Sequence, residues 1–576
     1  MVTAWLVLAG GQMIRSPGDM ARFGGLLFHR VLCPLQLAIT FFYAALATAS
    51  SVAQEKDRRT LILLLMTRME NRELVLGKLA AGWLHVLVMI AAGIPVFALC
   101  TLFGGVSGGQ FVRATLVTVA SSLFASAIGT TVAFWREKTF QTLAMTALVL
   151  CFWLALGEAV ASGVLGANWW GIETTRWAAA FSPIRALGAA VRPGQISTLL
   201  ANPLQDEAVW FLIVSVTLSC LATTWGTLRV RVWNPSREAR PAAAETVELK
   251  RPPSATDTRH SRPVAGLSEQ PTSPAEEPPT GRRVWNNPVL WREVCTWAYG
   301  RKIWVIRAAY LILFAMAAWA IHAWALPQSR LGTDTDEVIP ALAWALVPLF
   351  LLSLVIVNAL AVTAITTERD GKSLDLLLTT DLSPKEFVFG KLGGVMSVAT
   401  LMIILPLILV LTAWWRGGMI TENLVFITCG LLVMDLFVAT LGLHCGMRYA
   451  NSQTAVAVSL GTVFFLFLGV ISCMLLMISF SGSFQVQLGP FLALILGGGV
   501  GLYVALGAHN PSRAIGVVSF LVPFFTFYAI TSFLLRFNLS VFLVLTVTYG
   551  FTTWAMLVPA ISEFDFALDQ SAGSDD

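Results

Sequence analysis

Apolar residues run along this chain in long unbroken stretches. Before a polar middle segment they cover about 28–53, 79–103, 111–134, 141–164 and 207–228, with a shorter stretch at 1–14. After it they resume at about 303–325, 342–366, 392–413, 421–446 and 455–480, then at 488–507, 515–536 and 539–560. A helix of about 20 apolar residues crosses a bilayer, whereas a barrel strand would show about ten residues in alternation. The pattern therefore predicts an all-α polytopic transmembrane bundle in two halves of six spans, 12–14 spans in all, joined by a cytoplasmic linker.

The polar segment, 229–284, holds nine of the 25 prolines and much Ser, Thr, Glu and Arg. It has too few apolar residues to bury a core and reads as a disordered linker. Arg229, Arg231, Arg237 and Arg240 stand at its start, Arg282 and Arg283 at its end, and Arg292, Arg301 and Lys302 follow. Basic residues crowded beside spans mark the cytoplasmic side. The expected layout is a first transmembrane half at 1–228, the linker at 229–284, a short amphipathic helix at 285–302 and a second transmembrane half at 303–576. Composition agrees: 56% of residues are hydrophobic, 12% are charged and mean hydropathy is +0.73. A soluble domain carries about 25% charged residues, so a water-soluble fold is excluded. Met1 to Gly10 lacks the basic n-region of a cleavable signal. The eight cysteines are scattered without CxxC spacing, and His444 and Cys445 are adjacent, on different sides of a helix. No metal site, cofactor or nucleic-acid partner is expected; the lipid bilayer is the surrounding partner.

The most informative pattern is a repeat. Residues 55–79 and 368–392 align without a gap at an offset of 313, with 12 of 25 positions identical. Glu55-Lys56-Asp57 returns as Glu368-Arg369-Asp370, and Gly77-Lys78-Leu79 as Gly390-Lys391-Leu392. Pro95 and Pro406 lie midway in the next span of each half, and Gln141-Thr142 and Gln453-Thr454 open another pair. Two bundles of the same orientation, related by a pseudo-twofold axis, follow from such a repeat. At this offset Met1 corresponds to Phe314, so the first half is expected to be short at its N-terminus.

Within the repeat the residues predict a short helix between two spans. Gly371 is placed to end the preceding helix in a left-handed conformation, and Thr60 and Ser373 to N-cap the new one. Leu61, Leu64 and Leu65, with Leu374, Leu377 and Leu378 in the second copy, fall on one face at i, i+3, i+4. Ser383, Pro384 and Glu386 have the order of a capping box for the following span.

Other motifs carry less chemistry. Gly371-Lys372-Ser373 ends like a phosphate-binding loop, but Thr366 stands where the first glycine belongs. No ATPase is encoded. Gly105-Val106-Ser107-Gly108-Gly109 fits an intramembrane serine protease with Ser107 as nucleophile, and equally a glycine-rich turn. Asp435 lies mid-span, where a carboxylate is costly and often functional. It could line a transport path or support an ion-coupled secondary transporter. Pro183, Arg185 and Ala186 recur as Pro511, Arg513 and Ala514, but there two apolar stretches flank them, at 488–507 and 515–536. That extra hairpin either spans or is re-entrant.

The repeated pattern, E-[KR]-[ED]-x-x-[TS]-L-x-L-L-L followed by G-K, resembles the cytoplasmic loop of type-2 ATP-binding-cassette exporter permeases. Asn287-Pro288-Val289-Leu290-Trp291-Arg292-Glu293 resembles the elbow helix before the first span in the same family. The resemblance implies a permease subunit, not itself an enzyme, that moves an unidentified substrate across the cytoplasmic membrane. Separate ABC ATPase subunits, holding ATP and Mg, would dock at coupling helices built on Thr60, Leu61, Leu64 and Leu65, and on Ser373, Leu374, Leu377 and Leu378. Glu55 and Glu368 would contact the ATPase or the elbow, and Lys78 and Lys391 would anchor the next span at the lipid headgroups. The linker and C-terminus would be cytoplasmic, and the fused halves would act as one pseudo-dimer.

Overall fold

The computed structural model describes residues 17–162, 168–169, 172–192, 206–234, 285–295, 303–326, 340–378, 382–479, 484–507 and 513–562. Twelve described helices are long and apolar enough to cross a membrane, five before the linker and seven after it. The first half comprises α1 (Met20–Asp57, with a π turn at Phe28–Leu32), the short α2 (Thr60–Met66), α3 (Asn71–Leu102), α4 (Gly108–Trp135) and α5 (Thr139–Ala161). A two-residue antiparallel strand pair and two short helices, α6 (Thr174–Phe181) and α7 (Pro183–Val191), lead to α8 (Glu207–Trp233). The second half comprises α9 (Pro288–Cys295), α10 (Ile303–Ala320), α11 (Ala341–Asp370), the short α12 (Ser373–Leu378), α13 (Pro384–Trp415), α14 (Thr421–Arg448) and α15 (Ser452–Ser479). Then come α16 (Phe484–Leu502), a π turn at Tyr503–Gly507, α17 (Arg513–Leu534) and α18 (Asn538–Ser562).

The repeat extends well beyond the 25 aligned residues. Both ends of α3 and of α4 recur in α13 and α14 at the offset of 313, and α1 and α11 end at equivalent positions. Packing repeats as well: α1 lies on α4 as α11 lies on α14, and α8 lies on α4 as α18 lies on α14. The close approach depends on glycine. A Cβ on Gly129 would meet Thr48 Oγ1 at 2.5 Å and Ala45 O at 3.0 Å. At the equivalent Gly442 it would meet Ala361 Cβ at 2.7 Å and Asn358 O at 2.9 Å. In lipid, helices associate through such backbone-close contacts rather than through a hydrophobic drive.

The halves meet reciprocally: α1 packs on α15, and α5 packs on α11 and α10. Phe42 of α1 stacks on Phe464 of α15, with centroids 4.0 Å apart and planes within 3°. Gln54 Nε2 donates to Asn451 Oδ1 at 3.4 Å across the same seam. Asn358 stitches three helices of the second half, donating to Val438 O at 2.8 Å and accepting from Ser459 Oγ at 2.9 Å.

Of the hairpin left open by sequence, α17 is long and apolar enough to cross a membrane, while α16 contributes a shorter apolar stretch, Ile495–Gly507. At the linker end the Tyr449 hydroxyl, just beyond α14, donates to Ala505 O at 2.6 Å. At the opposite end Asn538 Nδ2 donates to Asn423 Oδ1 at 3.1 Å. The chain therefore runs from the linker end through α17 to the opposite end and returns through α18. Residues 1–16, the linker at 235–284 and residues 296–302 lie outside the described residues.

Replacing Gly442 with Val should force α11 and α14 apart, because the atoms it would strike include backbone. The expected outcome is a drop in the thermal midpoint of the purified protein of several degrees or loss of folded yield. Gly461→Val, where a Cβ meets nothing within 4 Å, should be neutral; equal effects would refute the packing argument.

Candidate functional site

At the linker end, each half ends one span, makes a sharp turn, forms the short helix and begins the next span. The turn is the same in both copies. Arg58 N donates to Gln54 O at 2.9 Å and Arg59 N to Lys56 O at 3.0 Å; Gly371 N donates to Thr367 O at 3.0 Å and Lys372 N to Arg369 O at 2.9 Å. The left-handed residues are Arg59 (φ 61) and Lys372 (φ 54). Gly371 has φ −81, so the expectation that it takes the left-handed position is corrected. Thr60 and Ser373 do not N-cap their helices either. Each hydroxyl donates backward, at 3.2 Å, to the carbonyl of Glu55 or Glu368. The left-handed residue swings the chain so that the hydroxyl lies over the unfilled carbonyls of the preceding helix end. The capping box at Ser383 and Glu386 is present, and Glu70 and Glu73 form its counterpart at the start of α3.

Every charge of the Glu-[Lys/Arg]-Asp triplet has a task. The glutamate pairs with the lysine of the next span: Glu55 with Lys78, and Glu368 with Lys391 at 2.7 Å. The middle cation caps a neighbouring helix. Lys56 Nζ donates to Phe134 O and, at 2.8 Å, to Arg136 O beyond α4. Arg369 donates to Gly446 O at 2.7 Å, Met447 O at 3.2 Å and Tyr449 O at the end of α14. The aspartates face the seam. Asp57 accepts from Thr139 Oγ1 of α5, and Asp370 pairs with Arg58 of the other half at 3.5 Å.

In the second half a further helix closes over this pair. α9 lies against α13 so tightly that a Cβ on Gly394 would come 2.5 Å from Glu293 Cβ. Asn287 caps α9, accepting from Leu290 N at 2.9 Å, and ties it to α13 by donating to Glu386 O at 2.9 Å. Glu293 and Lys391 are then 2% and 1% exposed and 2.7 Å apart. Arg292 pairs with Glu293 at 2.9 Å and with Glu368. Burial acts to lower the pKa of the Arg292 guanidinium, but the two carboxylates outweigh it and hold it above its ordinary value. Lys391 is thus inside an ion-pair network joining α9, α11 and α13, not at a headgroup surface, which corrects its expected anchoring role. Lys78 pairs with Glu55 at about one-quarter exposure each.

The apolar face of the loop helix also differs from expectation. Leu61 (2% exposed) and Leu65 (4%) point inward onto Val52, Leu74, Val75, Ala133, Phe134 and Val230, and Leu64 is half-buried against them. The outward face is Ile62, Leu63 and Met66, which the sequence reading missed. In the second copy Leu374 is buried and Leu377 half-buried. The Leu378 side chain lies outside the described residues.

Two other candidates resolve differently. Ser107 N-caps α4: its hydroxyl accepts from Gln110 N at 3.3 Å and bonds Gln110 Oε1 at 3.1 Å. His85 and His322 bond carbonyls of their own helices, Ala81 O and Ala318 O, each at 2.8 Å. The serine is therefore a helix cap rather than an activated nucleophile. Asp435 is fully buried, and neither carboxylate oxygen has a hydrogen-bond partner among the described residues. Its helix, α14, packs chiefly on α11, α13, α15 and α18, all of the second half. Among the described residues no group of three His, Cys, Asp or Glu side chains could hold a metal ion.

Removing one partner of a buried ion pair costs about 3–5 kcal/mol, while an exposed pair contributes about 1 kcal/mol or less. Lys391→Met should therefore lower stability by about 3–5 kcal/mol in detergent unfolding, and Lys78→Met by much less. Equal small losses would show that the network does not hold the elbow helix.

No curated protein matches the chain. Residues 18–184 match the family model described as ABC-2 family transporter protein, and the loop and helix boundaries of that stretch recur in the second half.

Proposed function

We propose that this protein is the membrane permease of an ABC exporter, driven by ATP hydrolysed on separate ATPase subunits that dock at α2 and α12. The observation that carries the reading is the paired loop helix. Each copy is fixed between two spans at the linker end, and the first copy turns an apolar face outward on a rigid base. A short amphipathic helix so held is suited to seat in a groove of a partner. Binding of ATP by the partner, with its Mg, would move the two helices and rock one bundle against the other.

We place the linker end in the cytoplasm. Lys56, Arg58, Arg59, Arg68, Arg72, Lys372, Lys385 and the arginines flanking the linker gather there, in accord with the positive-inside rule. The chain would lie in the cytoplasmic membrane with both loop helices and its C-terminus inside. One copy supplies both bundles, so a second copy is not required for one path.

Two measurements test this. In a chain stripped of its native cysteines, Asn538→Cys should react with a membrane-impermeant maleimide in intact cells, and Gly371→Cys only after permeabilisation; the reverse pattern would invert the topology. The tagged chain, purified from native membranes, should recover a subunit bearing a phosphate-binding loop, with ATPase activity that changes on co-reconstitution. Recovery of no such subunit would overturn the reading.

A further inference from the structure

The two loop helices share the geometry of their opening turn but differ in sequence. The first is clamped from below and from the side. Leu61 and Leu65 sit on a floor from α1, α3, α4 and α8, and α8 reaches the loop with polar bonds. Arg231 Nε donates to Asn71 Oδ1 at 2.6 Å and its Nη2 to Met69 O at 3.1 Å, while Asn71 Nδ2 donates to Thr227 O at 3.2 Å. Asn234 Nδ2, just past α8, donates to Phe134 O at 3.0 Å. The remaining apolar side chains are forced outward: Ile62 is 41% exposed, Leu63 65%, Met66 67% and Met69 38%. Arg59 and Arg68, both exposed, border this patch. Contiguous exposed apolar side chains on a charged loop mark an interaction surface. In the second copy the position of Ile62 holds Asp375 and that of Met66 holds Thr379, so the same register carries a more polar sequence.

We propose that the two loop helices are unequal seats, and that the first carries most of the affinity for the ATPase. Leu63 and Met66 enter an apolar groove on that partner, and carboxylates on its rim face Arg59 and Arg68. The base under α2 is preorganised, so docking orders few side chains there and more of the contact energy appears as affinity. The inference rests on the ATPase-docking reading above and adds which half is gripped and by what chemistry.

The test uses the full chain and, as probe, the ATPase subunit recovered with it and then purified. Leu63→Asp should weaken binding about tenfold or more, the scale of a central interface contact, and Leu376→Asp, its counterpart, less than about threefold. Leu63 is largely exposed, so unchanged elution and thermal midpoint will show that the variant folds. Arg68→Glu should weaken binding and reduce its salt dependence. A benzoylphenylalanine at position 63 should cross-link to the ATPase chain. Equal losses from Leu63→Asp and Leu376→Asp, or cross-linking at 63 to lipid alone, would overturn the inequality while leaving ATPase docking intact. Failure of the unaltered chain to bind any ATPase would overturn both.

Discussion

The last turn of α1 and of α11 must do three things within three residues. A helix end leaves carbonyls unfilled, a neighbouring span ends beside it with carbonyls of its own, and the chain must reverse within a few residues. The Glu-[Lys/Arg]-Asp triplet answers each demand with a different charge. The glutamate holds the start of the next span through Lys78 or Lys391. The cation takes the carbonyls at the end of α4 or α14. The aspartate takes a partner near the seam, Thr139 of its own half for Asp57 and Arg58 of the other half for Asp370. These bonds fix where four helix ends lie, and the loop helix hangs from that frame. Its position is therefore a consequence of electrostatics at the membrane edge rather than of its own weak helical preference, since six or seven residues are too few to be stable alone.

Duplication preserved this frame and let the rest diverge. Gly129 and Gly442 keep the same close crossing, and the helix boundaries keep the same offset. Around it the halves differ. The second pair, Glu368–Lys391, is enclosed by α9 with Arg292 and Glu293, while the described part of the first half leaves Glu55–Lys78 partly open. The second half also inserts α16 and α17 where the first has two short helices and a strand pair. Two halves in one chain are free to specialise in this way, because neither has to be complementary to a copy of itself.

The spans, the linker position and the repeated loop were legible because they rest on long-run composition and on local spacing. The orientation of the loop helix was not. Thr60 to Met66 is apolar on nearly every side, so its period does not say whether Leu61 or Leu63 faces in; α3, α4 and α8 decide that through contacts remote in sequence. Lys391 looked like an interfacial lysine because its partner Glu293 is 98 residues away. The left-handed turn was assigned to Gly371 because glycine suits it, yet the first copy holds Arg58 there, an ordinary helical residue. The place of Ala505 at the linker end depends on its bond to Tyr449, a contact 56 residues away in sequence.

The distribution of strong and weak contacts indicates where the molecule can move. Within each bundle the links are costly to break: a buried ion-pair network, an asparagine shared by three helices, and backbone contact at glycine. Across the seam they are cheaper. Arg58 is about half exposed in its pair with Asp370, so that bridge contributes about 1 kcal/mol or less. The Gln54–Asn451 bond is long at 3.4 Å, and the Phe42–Phe464 stack adds about 0.5–1.5 kcal/mol. The apolar side chains between the halves gain little from each other over lipid, which is equally apolar. Were a partner to push on the loop helices, as proposed, these contacts would carry the push rigidly into each bundle and yield at the seam. A partner that grips one loop helix more firmly than the other would move one bundle as a body against its neighbour, with the aspartates of the triplet at the line where the two part.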